Sequence, residues 1–261
     1  MWTVSDRRPF IALLVALVIL TWLVLWIWGQ SPYGRFLSHE GLGEVEAFLN
    51  RKHVFLILIF VLGWTLMTVA MMLPTSLPLI TLFHTITRQR SDQMVLVALL
   101  ITGYLTIWVL FGFLAHICDW GLHETVEHNV WLGSNTWILG AAPILLAGIY
   151  QFTPLKYYCL DRCRSPFSFI TEHWHGSHER MQAFRLGVHH GIFCIGCCWA
   201  LMLLMFAVGA GNIGWMLALG TVMAVEKNVP WGKRFSTPLG VALLGWGLIL
   251  VVLGLGWINF M

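Results

Sequence analysis

The sequence predicts an all-α fold, a polytopic membrane bundle of about seven transmembrane helices with its N terminus cytoplasmic and its C terminus outside. Three observations carry that prediction. Hydrophobic residues make up 58% of the chain and charged residues only 10%, where an ordinary soluble domain holds about 25% charged residues. Mean hydropathy is +0.77, and several apolar runs approach or exceed the roughly 18 to 20 residues that a helix needs to cross a hydrocarbon core. The basic residues are also asymmetric. With the N terminus inside, the cytoplasmic segments hold Arg7, Arg8, Arg88, Arg90, Lys156, Arg162, Arg164, Arg180, Arg185, Lys227, Lys233 and Arg234, leaving only Arg35, Arg51 and Lys52 of the 15 outside, as the positive-inside rule requires. The net charge of +3 therefore reports orientation in a bilayer and gives no case for nucleic-acid binding.

The first helix, 10–28, has an apolar region too long for a signal peptide and no small-x-small cleavage site, so it reads as a retained anchor. The second, 54–74, places Trp64, Met67, Met71 and Pro74 in one stripe with Met72 offset beside it. Such stripes pack more often than they ligate, and the proline marks a kink or the helix end. The third helix, 94–118, ends outside among His116, Cys118, Asp119, His123, Glu124, Glu127 and His128. These match neither HExxH nor HxxEH, which removes a zinc peptidase, and read first as a solvated loop. The fourth, 134–155, leads into the longest polar connection, 156–183, which is too short to build a core unless a metal or the bundle supports it. Helices five and six, 184–208 and 212–228, are separated only by Gly209, Ala210 and Gly211. They form a tight hairpin or a broken, re-entrant element. The seventh spans 238–258. Residues 1–261 read as a single integral membrane domain, with Glu226 and Lys227 as an ion pair at the inner end of helix six or as interfacial anchors.

The fifth helix carries the chemistry. His190, Cys194, Cys197, Cys198 and Met205 fall within about 100° of helical arc, while His189 points elsewhere. Residues at i,i+3 and i,i+4 stand about 5–6 Å apart at Cβ, a spacing that lets two side chains grip one ion. One membrane cysteine is ordinarily a small apolar residue. Three in five positions behind a histidine at membrane depth point to a metal site, with redox thiol chemistry and packing as the alternatives. Zinc accepts this ligand set, but the methionines Met202, Met205 and Met71 and the hydrocarbon setting favour Cu(I). One helix cannot complete a shell. Partners are expected from the Met71 stripe and from the cytoplasmic connection, where Cys159 and Cys163 precede Glu172, His173, His175 and His178.

Further motifs carry a resemblance. Trp64-x2-Met67-x2-Ala70-Met71-Met72-x-Pro74, Tyr150-Gln151-x2-Pro154-x-Lys156, Cys159-x3-Cys163-Arg164-x-Pro166, Gly187-x3-Gly191-x2-Cys194-x-Gly196-Cys197-Cys198-Trp199-Ala200-Leu201-Met202, Asn212-x2-Trp215-Met216 and Glu226-Lys227 together resemble the bacterial predicted metal-binding integral membrane proteins grouped as domain of unknown function 2182. The resemblance spans about residues 54–228, and its CxGCCW element is the specific part. It implies a location in the bacterial inner membrane and points to Cys159, Cys163, Cys194, Cys197 and Cys198 as ligands. The His189-His190 pair lies outside the pattern.

Two functional classes follow. In the first, the chain handles a soft transition metal, Cu(I) before zinc, in transport, storage or delivery, with the lipid bilayer and a metallochaperone or metalloenzyme as partners. In the second, it is a membrane thiol oxidoreductase in which Cys194 and Cys197 exchange with Cys159 and Cys163 and pass electrons to a quinone. A reducing cytoplasm disfavours stable disulfides there. A structural or assembly subunit is the third reading, and the absence of a Walker loop, GxSxG or haem-attachment motif makes the non-enzymatic classes the first choice.

Overall fold

The computed structural model describes residues 7–30, 51–129, 131, 135, 137–174, 179–208 and 212–258. They form α1 (Arg7–Gln30), α2 (Arg51–Ile86), α3 (Gln93–His128), α4 (Trp137–Tyr150), α5 (Pro154–Arg164), α6 (Pro166–His173), α7 (Glu179–Val208), α8 (Ile213–Asn228), a 3₁₀ turn (Gly232–Phe235) and α9 (Ser236–Ile258). There is no strand among the described residues. Five segments are long and apolar enough to cross a membrane: Pro9–Gln30, Ile57–Ile86, Gln93–Val126, Glu179–Met205 and Gly232–Gly254. The count reaches six if α4 and α5, bent by 66° at their junction, make one broken span. These spans make the chain a membrane protein. The sixth expected span, α8, has 16 residues, about 24 Å of helix against a hydrocarbon core of about 30 Å.

Local chemistry explains where the structure departs from the expected helix limits. The run 134–155 is not one continuous helix, because the chain breaks at 151–153. Thr153 is extended, as the residue before a proline tends to be, and its hydroxyl accepts from the Lys156 amide at 3.3 Å with Pro154 in the first turn of α5. The polar connection beyond it is not a loop. It forms α5 and α6, which lean on the bundle through Lys156, Cys159, Leu160, Phe169 and Ile170, all buried.

Pro74 and Pro78 do not end α2, which runs on to Ile86. Pro74 has no amide to offer the carbonyl of Ala70, and that carbonyl instead accepts from the Trp22 indole of α1 at 3.2 Å. A helix-breaking residue is thus absorbed by its neighbour.

Helix α7 is the centre of the bundle. It packs most extensively on α3 and also meets α4, α5, α6 and α8. The α3–α7 contact is backbone against backbone. A Cβ on Gly187 would lie 2.0 Å from the Leu100 carbonyl oxygen, and one on Gly103 would lie 2.2 Å from that of Phe184. Gly187-x3-Gly191 is therefore a small-residue seam of the kind that lets membrane helices approach closely. This seam carries the cysteine face of α7 into a core shared with Trp64, Met72, Tyr104, Trp108 and Met223. The Trp64 indole donates to the Trp108 carbonyl at 2.8 Å, tying α2 to α3 beside that core.

Candidate metal centre

Cys194, Cys197 and Cys198 are fully buried on one face of α7, but their thiols serve two neighbouring groups. Cys198 Sγ lies 3.7 Å from Met72 Sδ of α2. Cys194 Sγ lies 3.1 Å from the Tyr104 hydroxyl of α3 and 2.9 Å from the Lys227 ammonium of α8. Lys227 Nζ also stands 3.3 Å from Thr75 Oγ1, 3.8 Å from Cys198 Sγ and 3.9 Å from Met72 Sδ. Four helices thus meet at a pocket of two thiols, a thioether and a cation. The second group faces α5, where Cys197 Sγ lies 4.0 Å from Cys163 Sγ. Cys159 packs beside it against Gly196, where a Cβ would come within 2.5 Å of its sulfur. Tyr150 fixes that approach by donating to the Gly196 carbonyl. All six cysteines are free thiols.

The donor set fits a soft ion. With metal–sulfur bonds of about 2.3 Å, two sulfurs sharing one ion stand roughly 3.8 Å apart at a tetrahedral angle and 4.0 Å at a trigonal one. The two observed sulfur pairs are at 3.7 and 4.0 Å. Thiolate and thioether are ligands for soft ions, copper and zinc among them, and an apolar surround keeps water from such a site. Among the described residues, no three His, Cys, Asp or Glu side chains converge as a closed shell, so any ion here would rest on sulfur pairs that include the Met72 thioether.

The expected ligands are distributed unevenly around this pocket. Met71 turns toward α8, where a Cβ on Gly220 would lie 3.6 Å from its Cγ, and its neighbour Met72 reaches the sulfurs. His190 is buried between the rings of Tyr104 and Phe169, with Nε2 3.1 Å from Ser76 Oγ. Its Nδ1 has no hydrogen-bond partner among the described residues. His189, one residue away and so rotated by about 100°, sits edge-on to His173 with ring centroids 4.8 Å apart. Glu172 pairs with Arg162 on the surface, while His175 and His178 lie outside the described residues. At the far end of α3, His116 stacks on Phe60 at 4.5 Å and His128 pairs with Glu124 at 3.5 Å, apart from the sulfurs.

The Glu226–Lys227 reading needs correction. The two side chains do not pair with each other, because successive helical residues diverge by about 100°. Glu226 accepts from Lys156 Nζ and Ser236 Oγ, both at 2.7 Å, and Gln151 also bonds Lys156. Lys227 is left to the sulfurs. A buried lysine demands a partner, and the lysine was legible in the sequence even though the identity of the partner was not. Tyr104 and Thr75 carried no such signal.

A comparison with curated proteins found no significant match, and a comparison with solved structures found none either. A family model described as PpoB2, copper chaperone, matches residues 61–250, a stretch that contains every residue of both sulfur groups and of the Lys156–Glu226 pair. A match over that share of the chain shows the family: this chain belongs to the PpoB2 copper chaperones.

Proposed function

We propose that this protein holds Cu(I) within the inner-membrane bundle and delivers it to a metalloenzyme. Its primary site consists of Cys194, Cys198 and Met72, and Cys197 with Cys163 and Cys159 forms a neighbouring station nearer the cytoplasmic helices. The observation that carries this reading is the pair of sulfur–sulfur separations, each matched to one shared soft ion and each joining α7 to a different helix. Delivery needs an ion that is held tightly yet exchanged, and two adjoining sulfur groups allow ligand-by-ligand transfer without exposing the ion to water. His190, with its free Nδ1, flanks the primary site, and the His173–His189 pair marks the approach from the cytoplasmic side.

Replacing Cys194, Cys197 and Cys198 together with serine tests the reading, since serine is tolerated in membrane helices. The purified triple variant is expected to insert normally and to retain no copper after Cu(I) loading under anaerobic conditions. Copper content equal to wild type would overturn the assignment.

Orientation has its own test. With the N terminus cytoplasmic, a cysteine at exposed Ser91 in a Cys118→Ser background should stay unlabelled by an impermeant reagent until cells are lysed. Labelling of intact cells would reverse the topology.

The 4.0 Å approach of Cys197 and Cys163 also favours a second reading, thiol–disulfide exchange with a quinone as oxidant. That pairing differs from the Cys194/Cys197 couple expected from sequence. Two thiols lost per protein on incubation of the metal-free chain with a quinone, equally in Cys198→Ser but not in Cys197→Ser, would establish it in place of metal delivery.

A further inference from the structure

We infer that Lys227 is the charge-selecting residue of the sulfur site, restricting it to monovalent soft ions. The inference rests on the reading that Cys194, Cys198 and Met72 hold the ion, and it adds which ions the site accepts. The Lys227 ammonium is buried at the C-terminal end of α8, 2.9 Å from Cys194 Sγ and within 4 Å of both other sulfurs. Among the described residues no carboxylate offsets it, because the adjacent Glu226 turns to Lys156 and Ser236. The uncharged Thr75 hydroxyl is also a neighbour, at 3.3 Å.

Charge bookkeeping then decides the preference. Two thiolates, a neutral thioether and a monovalent ion sum to one negative charge, which Lys227 cancels. The same ligands around a divalent ion are already neutral, so Lys227 would leave one positive charge uncompensated in an apolar interior, an arrangement strongly disfavoured. Thiolate ligation alone does not make this distinction, since zinc and cadmium also accept sulfur. A fixed cation beside the ligands does.

The test uses Ag(I) as a redox-inert monovalent probe and Cd(II) as a thiophilic divalent one, competing for the full-length protein in lipid nanodiscs, with bound ions counted by elemental analysis. Wild type should favour Ag(I) over Cd(II) by more than tenfold. Lys227→Leu, without charge and without a metal-binding atom, should lower that ratio by about 100-fold, the scale of one unit charge a few ångströms away in a partly polarisable interior. Lys227→Arg should keep the wild-type ratio. An unchanged ratio in Lys227→Leu, or a wild-type ratio below tenfold, overturns the inference, and the second needs no variant to fold. Loss of the preference in Lys227→Arg would assign it to shape and overturn it as well. If wild type binds neither ion, the sulfur site itself is refuted. If it binds both without discrimination, only the charge selection fails.

Discussion

Replacing Glu226 with leucine should destabilise the bundle by about 3–5 kcal/mol, the cost of leaving one member of a buried ion pair uncompensated. The reasoning starts from burial. Lys156 is 0% and Glu226 2% exposed, their Nζ and Oε1 atoms are 2.7 Å apart, and neither can reach bulk water without opening the α5–α8 contact. The Ser236 hydroxyl would lose its acceptor in the same step, and a buried donor without a partner costs about 1–3 kcal/mol. Removing both charges reverses the logic: Lys156→Met with Glu226→Leu leaves no buried charge, and such apolar replacements are often neutral. The assay is a double-mutant cycle by reversible denaturation in mixed micelles, followed by the fluorescence of the 15 tryptophans spread through the chain. The double variant should recover at least about 2 kcal/mol relative to Glu226→Leu. A single variant costing under about 1 kcal/mol, or a double variant as unstable as the single, would show that the pair is solvated and refute the argument.

Met72→Leu keeps side-chain volume and so should cost less than about 1.5 kcal/mol, yet it should weaken Ag(I) retention in an equilibrium dialysis assay at least about tenfold, the effect of losing one soft ligand. Met71→Leu should leave retention at the wild-type level, and equal effects of the two would remove the thioether from the site. Gly187→Ala must push α3 and α7 apart, because its Cβ would lie 2.0 Å from a backbone oxygen. We expect a thermal unfolding midpoint lowered by the equivalent of about 1–3 kcal/mol. Gly245→Ala, whose Cβ meets nothing within 4 Å, should hold or raise the midpoint. Thr153→Ala removes the cap of α5 and should cost about 1 kcal/mol, with loosening of Cys163 visible as faster alkylation than in wild type.

The sequence by itself determined that the chain is helical and belongs in a membrane, because those properties follow from the length and apolarity of individual segments. It also determined that Cys194, Cys197 and Cys198 share a face, since a helix fixes the direction of each side chain from its register alone. Helix limits were less legible. Pro74 looked like an end, and only the Trp22 indole on another helix shows how α2 continues past it. The run through 151–153 looked continuous, although Thr153-Pro154 held the cap and the break in plain view. What tertiary structure alone decided is which residues from other helices meet the α7 thiols: Met72 in place of Met71, Lys227 against Cys194 and not paired with Glu226, and Cys163 opposite Cys197. Those contacts join residues 33 to 126 positions apart in the chain. They depend on the rotation and approach of whole helices, set here by glycine seams and buried ion pairs, and periodicity within one helix carries no information about the rotation of another.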